Sequence, residues 1–161
     1  MKSLKEKINT TKLEIIKAQD LWAQNVIDIG NLYTKNEDYK TRASIFVKQF
    51  YAFDICEVLF KPTLASEKQF RYTYDDAVSY FIGGSISEDK GFALKPWKKI
   101  NFGERKIIIF KEIALSMGNY FFQSVDGCDA VKVEYTFGYV KDNDNNLLIN
   151  LHHSSIPYIN K

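Results

Sequence analysis

A chain of 161 residues with a formal net charge of +2 has the length of one domain, and its mixed charges do not indicate a nucleic-acid or membrane partner. It contains no apolar run of about 18 residues that would span a membrane, and its charged start does not resemble a signal peptide. We therefore expect a single domain over residues 1–161, with residues 1–10 frayed. Cys56 and Cys128 are isolated in the sequence, which predicts reduced thiols and a cytoplasmic protein.

The first part of the chain predicts a long amphipathic helix. Over residues 10–32 apolar side chains recur every three to five positions, as on one face of a helix. Thr10 or Thr11 together with Glu14 predicts a capping box at its start, and Gly30 is expected near its end.

Shorter elements follow this helix. Asp38 lies in the expected first turn of a second helix, which the apolar spacing carries to Phe53. Residues 58–63 predict a short strand that a proline ends, and residues 75–81 predict a third, short helix before Gly83.

The second half of the chain predicts strands. Residues 107–110 and 113–122 are apolar runs, and residues 131–140 alternate between apolar and polar side chains. The polar turn at 142–146 joins them to a last strand at 147–155, which makes a hairpin. Helices followed by an antiparallel sheet predict an α+β domain with the helices on one face of a curved sheet.

The end of the last strand is the most informative segment, because it places both histidines of the chain and two hydroxyl groups in four residues, His152, His153, Ser154 and Ser155. Adjacent strand residues point to opposite faces, so the two histidines are not expected to bind one zinc ion, and no third ligand lies nearby in sequence. Residues 147, 149 and 151 form the more apolar face of this strand, which is expected to point inward. Alternation places His153 and Ser155 on the same face, so both are predicted to face the interior. A slip or bulge of one residue would reverse this assignment.

Motifs along most of the chain resemble those of the iota-class carbonic anhydrases. They lie at 59–63 (LFKPT), 69–71 (QFR), 79–84 (SYFIGG), 89–93 (DKGFA), 96–97 (PW), 117–122 (MGNYFF), 135–139 (YTFGY) and 152–158 (HHSSIPY). The resemblance implies a cystatin-like or SnoaL-like α+β cone, in which a curved antiparallel sheet wraps a long N-terminal helix with two shorter helices. Relatives of this family include the association domain of calcium/calmodulin-dependent kinase, and they are usually dimers, so a homodimer is expected.

The same resemblance implies reversible hydration of carbon dioxide to bicarbonate, with no metal ion and no other cofactor. The positions that match the family's bicarbonate site are Thr63, Tyr80 and Ser155, with His153 nearby as the proton acceptor or relay. Ser154 replaces Ser155 if the strand slips by one residue. These hydroxyls can orient water and donate to a developing anion, and a histidine can accept a proton near neutral pH.

Further side chains are candidates for the walls of the site. These are Trp22, Phe92, Trp97 and Met117, of which Phe92 and Trp97 are expected to contact the substrate. Lys61 and Arg71 could steer bicarbonate, but they fit ordinary surface charges better.

Two other functions remain open from the sequence. The same cone serves in some proteins as an oligomerisation or ligand-binding module without catalysis. It also carries other lyases and isomerases, which use an Asp or Glu base in the pocket. Asp54, Glu57 and Glu134 are acidic candidates, but their spacing assigns none of them to a pocket.

Overall fold

The structure, a computed structural model, describes residues 10–160. Its helices and strands are, in chain order, α1 (Lys12–Thr34), α2 (Tyr39–Phe50), β1 (Leu59–Lys61), α3 (Tyr74–Ile82), a 3₁₀ turn (Phe92–Leu94), β2 (Trp97–Phe110), β3 (Ile113–Ser124), β4 (Val131–Lys141) and β5 (Leu147–Ser155). Residues 1–9, nearly all of the segment predicted to be frayed, lie outside the described residues, while Thr10 is buried. The single domain over 1–161 therefore stays a prediction.

Helix α1 begins with the predicted capping box. The Thr11 side chain accepts from the Glu14 backbone N–H, and the Glu14 carboxylate accepts from the Thr11 backbone N–H. The predicted end at Gly30 is wrong, since the helix continues for another turn. A Cβ at Gly30 would lie 2.6 Å from the carbonyl oxygen of Ala93, so this glycine lets the 3₁₀ turn pack directly on the helix.

The five strands form one mixed sheet in the order β1-β5-β4-β3-β2. Strands β2 to β5 pair antiparallel, as predicted, but β1 pairs parallel with β5 and places Phe60 beside His152. A strand as short as β1 has too little pattern to specify a partner far away in sequence. This parallel pairing positions the segment after β1 over the end of β5.

The helices pack on the concave face of the sheet and give the predicted α+β cone. Trp22 of α1 lies at the centre of one continuous apolar core, with its ring 5.9 Å from that of Phe137 and 6.3 Å from that of Phe46. Tyr135, Phe137 and Tyr139 of β4 all face this core, as their alternation predicts. Much of the aromatic content of the chain therefore fills the interior of the cone.

A β-bulge interrupts the pairing of β4 with β5. Tyr139 pairs with Ile149 and Gly138 pairs with Leu151, so Asn150 is an extra residue on β5. A Cβ at Gly138 would lie 2.8 Å from the Leu151 Cβ and 2.9 Å from the Asn150 Oδ1 atom, so the bulge requires a glycine opposite it. Beyond this point the side chains of β5 exchange faces.

The bulge reverses the orientation that strict alternation predicts for the end of β5. Ile149 faces the interior before the bulge, and His152 and Ser154 face it afterwards. The prediction that His153 and Ser155 face the interior is therefore wrong, because it continued one alternation through the extra residue.

Within residues 10–160, no helix is both long enough and apolar enough to cross a membrane.

Candidate functional site

A cavity of about 520 Å³ opens between α3, the 3₁₀ turn and the sheet. Aromatic rings form much of its wall: Phe92 stacks on Tyr80 at 5.3 Å and lies 5.4 Å from Trp97. The Trp97 indole N–H donates to the Phe92 carbonyl at 2.8 Å, which holds these two rings in place. Phe92 and Trp97 therefore line the cavity, as predicted.

The other two predicted wall residues do not line the main cavity. Trp22 borders a much smaller space of about 10 Å³ at the inner end of the cavity, about enough for one water molecule. Met117 lies on the outer face of the sheet and is 60% exposed, so its prediction as a wall residue is wrong.

Four hydroxyl groups meet at the inner end of the cavity, and we call them the hydroxyl cluster: those of Thr63, Tyr80, Tyr120 and Ser154. The Ser154 Oγ atom lies 2.6 Å from the Thr63 Oγ1 atom and 2.5 Å from the Tyr120 hydroxyl. Thr63 and Tyr80 line the same inner space, where the Leu64 backbone N–H donates to the Tyr80 hydroxyl at 3.4 Å. Burial raises the pKa of both tyrosines, so both phenols stay protonated at neutral pH.

His152 lies directly behind the hydroxyl cluster. Its Nε2 atom is 3.2 Å from the Tyr120 hydroxyl, and its Nδ1 atom is 2.9 Å from the Tyr51 hydroxyl. The imidazole stacks between the rings of Phe60 and Phe137, with centroid distances of 4.9 and 4.2 Å. Burial lowers the pKa of His152 to about 3, so the ring is neutral at physiological pH.

The structure brings Thr63, Tyr80 and Ser154 together but not the other two predicted catalytic residues. His153 is exposed on the outer face of the sheet, where it pairs with Thr136. The Ser155 hydroxyl donates to the Glu134 carboxylate at 2.9 Å, also on that face. The bulge in β5 is the physical reason, since it places their neighbours in the cavity instead.

Sequence reasoning did not identify Tyr120 or Tyr51. Tyr120 lies within the motif at 117–122, and strict alternation along β3 from Ala114 would have placed it on the inner face. Tyr51 directly follows α2, and only the fold brings it to His152.

Arg71 is fully buried, so the interpretation of this residue as a surface charge is wrong. Its guanidinium group makes two hydrogen bonds to the Asp89 carboxylate, at 2.6 and 2.7 Å, and the Ser79 hydroxyl donates to the same carboxylate. The guanidinium carbon also lies 5.9 Å from the centre of the Tyr80 ring. Lys61 is half-buried and donates to the Ser154 carbonyl at 3.2 Å.

The acidic groups that line the cavity already have partners. Asp89 forms the ion pair with Arg71. The backbone N–H groups of Ser66, Glu67 and Lys68 donate to the Glu88 carboxylate and lower its pKa to about 2. Neither carboxylate is therefore arranged as a general base at neutral pH.

In the part of the chain that the structure describes, no group of three or more His, Cys, Asp or Glu side chains is placed to hold a metal ion. His152 and His153 point to opposite faces of the sheet, so they do not bind one ion together.

Comparisons with known proteins agree on one family. The family model for metal-independent carbonic anhydrases matches residues 13–156. A metal-independent carbonic anhydrase from Nostoc sp. (strain PCC 7120) is 36% identical over 153 residues, which cover 92% of this chain and 74% of that relative.

Solved structures give the same result for the fold. The crystal structure of an iota-carbonic anhydrase from a cyanobacterium, complexed with bicarbonate, matches with a TM-score of 0.88 and 34% identity over 94% of both chains. An NTF2-like protein of unknown function from Pseudomonas putida matches with a TM-score of 0.64 and 13% identity, over 92% of this chain and 87% of that one. The second likeness concerns the fold alone.

Proposed function

Because the chain belongs to the metal-independent carbonic anhydrases of the iota class, we propose that it hydrates carbon dioxide reversibly at the hydroxyl cluster, without a metal ion. Its activity is that of a carbonate dehydratase, a lyase. The observation that supports the cluster as the reaction site is the meeting of Thr63, Tyr80, Tyr120 and Ser154 at the inner end of an aromatic cavity. Carbon dioxide and bicarbonate are the proposed substrate and product.

The two parts of the cavity suit the two sides of the reaction. Carbon dioxide is apolar, and the Phe92 and Trp97 rings offer it an apolar wall. Bicarbonate is an anion, and the hydroxyls can donate to its oxygens where charge develops. A hydroxyl can also accept a hydrogen bond, so the cluster can hold one water molecule against the carbon atom.

In this proposal no histidine takes the role of proton acceptor or relay that was predicted for His153. His153 lies outside the cavity, and the pKa of His152, lowered to about 3, makes it a poor proton acceptor at neutral pH. His152 instead holds Tyr120 in the hydroxyl cluster. The proton that water loses then leaves through the open mouth of the cavity to the solvent.

Chelation tests the metal independence of this proposal. We expect the rate of carbon dioxide hydration, followed by stopped flow with a pH indicator, to be unchanged after treatment with a strong chelator and removal of zinc confirmed by elemental analysis. The uncatalysed reaction in the same buffer is the control. A rate that is lost with the metal and restored by adding it would contradict the proposed mechanism, and no hydration in either state would contradict the proposed activity.

The alternative catalyst with an acidic base has little support at this site. The acids that line the cavity, Glu88 and Asp89, are held by backbone N–H groups and by Arg71. A non-catalytic module would not need four hydroxyls at the end of a cavity. The engaged carboxylates and the four hydroxyls therefore both favour an anhydrase.

We further propose that two copies of the chain associate through the outer face of the sheet. Phe110 pairs with Ile113 and Ile108 pairs with Leu115, so these apolar side chains lie side by side on that face, next to Met117. All five are between 41% and 67% exposed. A continuous apolar surface on a sheet commonly marks an interface, and the resemblance implies a homodimer.

Light scattering on the purified protein measures this association. We expect the mass of a dimer for the wild type and of a monomer for Leu115→Lys, since a charge in the interface must be desolvated. Leu21→Lys is the control, because Leu21 is exposed on α1, away from this face. A monomeric wild type would contradict the proposal.

The cytoplasm remains the proposed location. Cys56 and Cys128 are both unpaired and exposed, which suits a reducing compartment.

A further inference from the structure

A chain of hydrogen bonds extends from the hydroxyl cluster into the core of the protein. Beyond Ser154 and Tyr120 it passes through His152 to the Tyr51 hydroxyl, at 2.9 Å from Nδ1. It ends at Trp22, whose indole N–H donates to the Tyr51 oxygen at 3.1 Å. All five side chains are at most 3% exposed, so these hydrogen bonds run through the buried interior.

We propose that Tyr51, with Trp22 behind it, is a positioning residue that holds His152 with its proton on Nε2, and thereby fixes the direction of every hydrogen bond between His152 and Thr63. This inference rests on the proposed function, since it explains how the hydroxyl cluster presents donors to the substrate.

The direction of these hydrogen bonds follows from the Trp22 indole, which can only donate. An indole nitrogen has a proton and no acceptor site, so the Tyr51 oxygen must accept from Trp22. Within residues 10–160 the Tyr51 hydroxyl forms one other hydrogen bond, to the Nδ1 atom of His152. A buried hydroxyl proton without an acceptor is costly, so Tyr51 donates to Nδ1.

The neutral imidazole transmits this direction. With Nδ1 accepting from Tyr51, the single ring proton lies on Nε2, which donates to the Tyr120 oxygen at 3.2 Å. Tyr120 has one proton and gives it to Ser154, whose own proton goes to Thr63. Burial of His152 supports this assignment, because it disfavours a second proton on the ring.

This direction has a consequence at Thr63, where the chain of hydrogen bonds faces the substrate. Once Thr63 accepts from Ser154, its own proton is free to donate into the cavity. Successive hydrogen bonds that point the same way strengthen one another in a low-dielectric interior, so Thr63 becomes a stronger donor to an anionic oxygen. Trp22 cannot accept a proton, so this chain of hydrogen bonds orients the hydroxyls of the site and does not carry protons out of it.

The protonation state of His152 can be observed directly by NMR. The chain has two histidines, so the His153→Gln variant, labelled with ¹⁵N and free of any histidine tag, shows the imidazole signals of His152 alone. We expect a long-range ¹H–¹⁵N spectrum at pH 7 with a protonated Nε2 and a bare Nδ1. A protonated Nδ1 would overturn the inference even if the enzyme is active. A protonated Nε2 in a protein that does not hydrate carbon dioxide would instead contradict the proposed function alone.

The role of Tyr51 is tested by Tyr51→Phe in the same background. We expect the Nε2 tautomer to give way to a mixture and kcat to fall about tenfold, the effect of about one hydrogen bond, with KM little changed. Tyr139→Phe is the matched control: it removes another buried tyrosine hydroxyl and should leave the His152 tautomer unchanged. An unchanged tautomer in Tyr51→Phe would contradict the role of Tyr51, and the tautomer of the His153→Gln protein decides the direction even if Tyr51→Phe does not fold.

Discussion

Ser154→Ala is expected to lower kcat/KM for carbon dioxide hydration by about 100-fold, because it removes two hydrogen bonds that are each worth about tenfold. The Ser154 hydroxyl contacts both Thr63 and Tyr120, so its loss separates the hydroxyl that faces the substrate from the rest of the chain of hydrogen bonds. The measurement is stopped-flow hydration on protein whose fold is verified by circular dichroism.

The neighbouring residue provides the control for this substitution. Ser155→Ala removes the same atom one position further along β5, but Ser155 bonds to Glu134 on the outer face of the sheet. We expect its activity to stay close to that of the wild type. If Ser155→Ala lost the activity and Ser154→Ala kept it, the bulge and the site built on it would both be wrong.

The second large effect concerns stability against acid. The folded protein holds His152 with a pKa of about 3, against about 6.5 in an unfolded chain, so between these values the unfolded state binds more protons. Above about pH 6.5 His152 is neutral in both states and does not lower the stability. As the pH falls from 6.5 towards 3, the free energy of unfolding decreases. At pH 4 the loss from this one residue is about 3 kcal/mol.

Urea unfolding at pH 7 and pH 4 measures this loss. We expect the free energy of unfolding to fall between these pH values by about 3 kcal/mol more in the wild type than in His152→Gln, whose neutral side chain can still donate to Tyr120. His153→Gln is the control, and most of the loss of stability at pH 4 should remain in it, because burial is the main cause of the lowered pKa of His152. Equal pH dependence in the wild type and His152→Gln would show that His152 is not buried as a neutral ring.

Local patterns in the sequence predicted much of the fold. The capping box of α1, the alternation along β4 and the hairpin of β4 and β5 depend on neighbouring residues, and all three were confirmed. The motifs predicted the family, which the comparisons confirmed. They also indicated Thr63 and Tyr80, which the structure places in the cavity, although their roles in catalysis remain proposals.

Only the tertiary structure decided which histidine and which serine enter the site. The alternation of side chains is a local property of an extended strand, and it predicts the inner face only while the pairing register is unbroken. The extra residue Asn150 opposite Gly138 breaks that register through contacts between two strands, which no pattern within β5 reveals. The positions of Tyr51 and Arg71 likewise depend on packing between segments far apart in sequence. The sequence by itself therefore determined the family and the elements, whereas cross-strand pairing decided the composition of the site.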